Sequence, residues 1–354
     1  MEQMTSLERV LTVVNHGIPD RVPVDLHNFL TTIAYAGFPM GQALQSGEMM
    51  AEAQLRFWRD FGHDMLLLEN GVVAAAGACG CHVEFFDDRP PRVAGHVLAD
   101  GLEKIDELEV PDPATTPPMS HCIDAVRILR KELGDRVFIM GRADQGPVAL
   151  AAALRGYEQF ILDMMLNEQP ELIHKVLDYC VKVQVRYALA LKAAGAHGTS
   201  AGEMGVDIIG PRLHRKWAHP YDRKLIGAVT APDFPMSLHI CGDSTMILPE
   251  MLATGAPILE LDYKTDMRKA KELMRGKATF LGPVNPELIW DAKSPDEVDA
   301  AAREAIEILG PGGGLILGPG CALGSDTPGD NIHALVEAAK KYGFYNPDGS
   351  LRKQ

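Results

Sequence analysis

Eight short runs of apolar or β-branched residues, each closed by turn-forming residues, punctuate the chain at 22–27, 64–69, 137–141, 198–203, 237–241, 258–262, 279–282 and 315–319. Their length and their Gly, Pro, Asn and Asp boundaries read as strands. Longer segments of helical pattern lie between them, among them 170–194, 211–230, 245–253 and 267–275, and another follows the last run at 328–342. Strands alternating with helices predict parallel β/α units, and eight of them predict a closed (β/α)8 TIM barrel, an α/β fold. An open doubly wound sheet is the competing arrangement, but no Gly-x-Gly-x-x-Gly turn follows an early strand.

A helix precedes the first run. Thr5-Ser6-Leu7-Glu8 is a capping-box pattern, and Gly17 followed by Pro19 stops the helix. This N-terminal helical extension is expected to plug or flank the barrel. A barrel takes roughly 250 residues, so about a hundred must be housed elsewhere. Much of that surplus is expected as an insertion between strands 2 and 3. There, 81–95 reads as a hairpin around Asp87-Asp88-Arg89-Pro90-Pro91, and 110–118 as a proline-rich connection. Without internal repeats, low-complexity tracts or flexible linkers, residues 1–354 are expected to form a single domain.

Composition narrows the function classes. A content of 46% hydrophobic and 23% charged residues suits a soluble globular chain. The formal net charge of −14 argues against a non-specific nucleic-acid binder and against attraction to anionic membranes. No apolar run is long enough to span a bilayer, and no basic segment leads into an apolar one at the start, so a cytoplasmic location is expected. The six cysteines are too sparse for a disulfide framework, and a reducing compartment leaves them available as thiolates.

Three residues then stand out: His239, Cys241 and Cys321. On a strand, residues two apart share a face, so His239 and Cys241 point the same way, roughly 7 Å apart. Cys321 follows the buried run 315–319 and a glycine. Barrel active sites gather at the carboxyl ends of strands, and both thiols belong there. Two sulfurs and an imidazole suit zinc, with a fourth position left for substrate. Core thiols beside a hydrogen-bonded histidine are the ordinary alternative. Glu203 ends the neighbouring strand and is expected as a fourth ligand or a general base, against the plainer reading of a solvated loop glutamate. Asp262 and Asn285 end strands 6 and 7 and are expected to line the pocket, although helix capping and turn formation are common roles for such residues. His27, at the end of strand 1, is a weaker candidate for substrate contact. Cys79 and Cys81 lack nearby companion ligands and read as buried small residues.

Several ordered motifs resemble the uroporphyrinogen decarboxylase superfamily over almost the full chain. They are Asp20-Arg21-Val22-Pro23-Val24, Gln145-Gly146-Pro147, Leu238-His239-Ile240-Cys241-Gly242, Leu259-Glu260-Leu261-Asp262, Leu281-Gly282-Pro283-Val284-Asn285-Pro286, Gly320-Cys321-Ala322 and Thr327-Pro328-Gly329-Asp330-Asn331-Ile332. The resemblance implies a (β/α)8 barrel. Its metal-free decarboxylase branch carries arginines after the first strand to bind substrate carboxylates, whereas here 25–33 contains none. Its zinc-dependent cobamide methyltransferase branch is marked by His-x-Cys and a distant Cys, which correspond to His239, Cys241 and Cys321. Glu203 falls where members often place an acidic residue. The resemblance therefore implies zinc, a corrinoid (methylcobamide) carried by a small corrinoid protein, and methyl transfer to a zinc-activated acceptor, most simply a thiol. A metal-free decarboxylase-like lyase and a non-catalytic zinc- or cobamide-handling protein are the rival expectations. The sequence is compatible with a homodimer.

Overall fold

The computed structural model describes residues 3–204 and 209–353. Its strands are β1 Met65–Leu68, β2 His82–Glu84, β3 Arg92–Gly95, β4 Phe138–Gln145, β5 Gly198–Glu203, β6 Met236–Ile240, β7 Ile258–Leu261, β8 Thr279–Val284 and β9 Leu315–Pro319. Seven of them form one parallel sheet in the order β1-β4-β5-β6-β7-β8-β9. Segment 22–26 closes the ring between its two edges. On one side Leu317 N–H donates to the Pro23 carbonyl at 2.8 Å and Asp25 N–H to the Leu317 carbonyl at 2.9 Å; on the other, Asp64 N–H reaches the Val24 carbonyl at 2.9 Å. The first predicted strand is thus an irregular stave. Pro23 has no N–H to give, and the Val24 N–H donates to the Asp64 carboxylate at 2.8 Å instead of to a neighbouring strand.

Alternation along the strands sorts side chains into two cores. Leu66, Leu68, Ile139, Leu238, Ile240, Leu259, Leu261, Leu315 and Leu317 face outward and pack under the surrounding helices. The inward positions Met65, Leu67, Phe138, Met140, Ile258, Leu281 and Ile316 form an apolar layer at the amino end of the barrel. The first helix, Ser6–Val14, starts at the predicted capping box, with both Thr5–Glu8 bonds present. It plugs that end: Leu7, Val10, Val13 and Val14 pack onto the inward layer. Val10 and Val13 are fully buried, worth about 1.5–3 kcal/mol each. The Thr279 hydroxyl also donates to the Val13 carbonyl at 3.2 Å.

The insertion between the second and third staves contains the expected hairpin, β2 against β3, and the helix Met119–Leu133. The helices Pro170–Ala194 and Met267–Met274 fall on their predicted segments. The segment read as one helix over 211–230 is interrupted: a short turn and a π-helical stretch, His214–Ala218, precede the helix His219–Val229. No helix among the described residues is long and apolar enough to cross a membrane.

Candidate metal centre

Above the apolar layer the inward positions turn polar. Because Leu238 and Ile240 face outward, alternation sends Ser237, His239 and Cys241 into the barrel at its carboxyl end. Cys321 arrives from β9 through Gly320, where a Cβ would lie within 2.5 Å of the Tyr263 nitrogen, so only glycine passes. The two elements meet at one point. His239 Nε2 lies 3.2 Å from Cys241 Sγ and 3.8 Å from Cys321 Sγ, and all three donor atoms fall within 4.8 Å of one another. The other imidazole nitrogen, Nδ1, sits 3.2 Å from the Glu260 carbonyl oxygen. A proton on Nδ1 donated to that carbonyl leaves the Nε2 lone pair facing the sulfurs, the tautomer a metal requires.

The two thiols behave as a pair. Hydrogen bonding from Cys241 pulls the Cys321 thiol well down against its burial, with help from His239. The same contact and burial push Cys241 up. One proton shared between two sulfurs is one a metal would displace. The remaining cysteines differ. Cys79 and Cys122 are pushed up to about 12 by burial, and Cys79, Cys81, Cys122 and Cys180 are all buried.

Beneath the cluster lies a buried polar layer. Glu260 is paired with His239 on the register of β6 and β7, so it shares the inner face, and its carboxylate contacts His27 Nδ1. A Glu260 oxygen also lies 3.8 Å from His239 Nδ1. Arg142 pairs with Glu69 at 3.0 Å and with Glu260 at 3.6 Å. Burial would raise the Glu260 carboxyl, but His27, His239 and Arg142 hold it well below the usual range. Asp25 is driven the other way, up to about 7, by burial and the Glu260 charge despite His27. Asp144 also rises to about 7, through burial and Glu69. Donor chemistry, spacing and tautomer all fit a zinc ion on His239, Cys241 and Cys321.

The predicted companions distribute differently. Glu203 lies outside the cluster. Gly202 pairs with His239, and Glu203 with Ile240, so Glu203 takes the outer face. Its carboxylate accepts the Val148 and Ala149 N–H groups, at 3.0 and 2.7 Å, at the start of the helix Pro147–Arg155. Burial raises it to about 7, opposed by these N–H groups and by a hydrogen bond with Asp222. The inner face carries Gly202 instead, where a Cβ would collide with the Arg142 guanidinium. Glu203→Gln is therefore expected to keep full metal content while losing about 1–3 kcal/mol of stability. Elemental analysis and urea unfolding check this, and a variant that folds but loses metal would return Glu203 to the ligand set.

Asp262 braces the loop beyond Cys241, accepting Gly242 N–H at 2.9 Å and Lys264 N–H at 3.0 Å. It also lines, with Tyr263, Lys264, Trp290 and Cys321, a cavity of about 320 Å³ that opens onto the thiol. Asn285 caps the helix Pro286–Asp291 through Glu287 N–H at 2.9 Å, the commoner role weighed for it. His27 is inside the barrel but buried against Glu260, with its ring 5.7 Å from that of His239. Glu260, Arg142, Glu69 and Asp25 were not singled out from sequence. For Glu260 the signal was present: a charge between two leucines, two residues before Asp262 and on the same face.

The profile of the family described as "Uroporphyrinogen decarboxylase (URO-D)" matches residues 5–342. A methylcobamide:CoM methyltransferase of Methanosarcina acetivorans is 26% identical, with 97% of this chain and 100% of that protein covered. A uroporphyrinogen decarboxylase of Thioalkalivibrio sulfidiphilus is 27% identical over 90% of this chain and 91% of its own length. Among solved structures, a methyltransferase from Methanosarcina mazei superposes with a TM-score of 0.86 at 26% identity, covering 96% of this chain and 99% of its own.

Proposed function

The chain belongs to the uroporphyrinogen decarboxylase family, and on that premise we propose that it is a corrinoid-dependent methyltransferase in which His239, Cys241 and Cys321 hold zinc. The observation that carries this reading is the convergence of those three donor atoms within 4.8 Å at the carboxyl end of the barrel. A methyl group passes between a methylcobamide, carried by a small partner protein, and a thiol. Coenzyme M is the first thiol to test, because relatives named for its methylation match the chain over nearly its whole length.

In the direction of thiol methylation, the sulfur–carbon bond forms as the cobalt–carbon bond breaks. Its electron pair stays on cobalt, which passes from cobalt(III) to cobalt(I), and the thiol proton leaves to solvent. Zinc at the three residues would deprotonate the substrate thiol at neutral pH. The chain's own groups do the rest. Two cysteine thiolates add negative charge beside the substrate sulfur and keep it nucleophilic. The Glu260 carbonyl fixes the His239 ring, and the cavity beside Cys321 has room for a small thiol.

The decarboxylase reading is less well supported. Arg142, which enters the barrel, is already paired with Glu69 and Glu260, and 25–33 contains no arginine. Little cationic surface is left for a substrate bearing many carboxylates.

The native protein is expected to carry close to one zinc per chain and to demethylate methylcobalamin in the presence of coenzyme M. Removal of the metal by a chelator should stop the reaction, and added zinc should restore it. Elemental analysis and the change in corrinoid absorbance read both. Protein purified free of metal, or demethylation indifferent to chelation, would sink the assignment.

A further inference from the structure

The opposite end of the barrel holds a second cavity, of about 180 Å³, whose lining includes His16, Lys271, Arg275 and Gly312 to Gly314. Its walls are the end of the helix Met267–Met274 and the turn leading into β9, so it sits at the amino face, away from the thiols. Among the described residues the Lys271 ammonium donates only to neutral carbonyls, those of Leu309 and Gly313. Arg275 makes no ion pair or hydrogen bond among the described residues. Burial and the neighbouring Arg275 charge hold Lys271 down to about 8, and no carboxylate opposes them. A helix carboxyl end attracts cations through its dipole, but that supplies no counter-charge to two cations facing each other. In a chain of net charge −14, such an uncompensated pair is unusual.

The glycine wall completes the cavity. Gly312, Gly313 and Gly314 have φ of +83°, +76° and +83°, a left-handed run that side chains would strain. A Cβ on Gly312 would lie 4.0 Å from Arg275 Nη2, so bare backbone lines the space before the guanidinium. The volume exceeds the roughly 30 Å³ that one water occupies in the liquid, leaving room for a tetrahedral anion with water around it.

The geometry points to an oxyanion site at the base of the barrel, in which a phosphate group sits between Lys271 and Arg275 against the Gly312–Gly314 turn. The anion ties the helix Met267–Met274 to the β9 turn and stabilises the folded chain by binding to it alone. This end of a barrel is where stability, not catalysis, is expected to reside.

The test uses the full chain in buffer free of phosphate and sulfate, at constant ionic strength set with chloride. Calorimetry with inorganic phosphate is expected to show one saturable site, and the melting temperature should rise with phosphate over equal chloride. Arg275→Gln, at an exposed position, should weaken phosphate binding about tenfold or more while leaving zinc content and methyl transfer unchanged. Lys271→Gln, the second variant, should do the same from the other side of the cavity. Glycerol phosphate in a parallel titration separates the sources: tighter binding than inorganic phosphate marks a phosphate ester as the occupant, weaker binding a free phosphate. Absence of saturable binding by either compound, or Arg275→Gln binding phosphate like the native chain, would overturn the site.

Discussion

Serine in place of Cys241 or Cys321 is expected to empty the metal site and stop methyl transfer. Serine has nearly the shape of cysteine, but its hydroxyl is a poor replacement for a thiolate on a borderline-soft ion. Removing a partner that merely orients a ligand typically costs 10–100-fold in metal affinity, so removing a ligand should cost more than about 100-fold. The fold should survive. Both thiols are only half-buried, and their contacts are with each other and with His239, so melting should shift little relative to metal-free native protein. Elemental analysis with the corrinoid absorbance assay checks both halves. A serine variant that keeps its zinc and its rate would show that the three residues are an ordinary buried cluster.

The contrast between this cluster and Glu203 shows which features a sequence exposes. His239 and Cys241 sit two apart in an apolar run, so their common face follows from strand periodicity alone, and the apolar Leu238 and Ile240 identify the other face. Gly198-Thr199-Ser200-Ala201-Gly202-Glu203 offers no such guide. Its inner face is glycine and serine, and its outer face carries only Ala201 as an apolar marker. The strand end was legible there, but the direction of the last side chain was not. That direction depends on register with β6, where Gly202 meets His239, a relation between segments that no single run contains. Room for Arg142 is the physical reason for the bare position. The staves were legible by length and boundary. The irregularity of the first was not, because it comes from Asp64 capturing a backbone N–H forty residues away.

That residue supports the second large effect: Asp64→Ala is expected to destabilise the protein by about 3–5 kcal/mol, the cost of breaking a buried ion-pair network by removing its carboxylate. Asp64 is fully buried. It accepts the Ser6 hydroxyl at 2.7 Å, Arg9 at 2.6 Å, Arg21 at 2.7 Å and the Val24 N–H at 2.8 Å. One carboxylate thus joins the plugging helix, the first stave and the start of β1, and its loss takes a counter-charge from two buried guanidiniums, of which Arg9 keeps Asp20 and Arg21 keeps the Val22 carbonyl. The same network predicts a pH dependence. Burial alone would raise the Asp64 carboxyl, but Arg21 and Arg9, with hydrogen bonds from Arg21 and Ser6, hold it below the usual range. Asp20 is likewise held down, to about 2, where Arg9 and the Gln3 and Met4 N–H groups outweigh burial. A carboxyl whose folded pKa is depressed contributes stability above its unfolded value near 4, and that contribution drains away as pH falls through the folded value. Native stability should therefore drop between about pH 4 and pH 2, and Asp64→Asn, which keeps the shape without the charge, should flatten that limb while starting from a lower plateau. Urea unfolding at a series of acid pH values measures both. An acid limb as steep in Asp64→Asn as in the native chain would place the acid-sensitive groups elsewhere, with Asp20 the next to test.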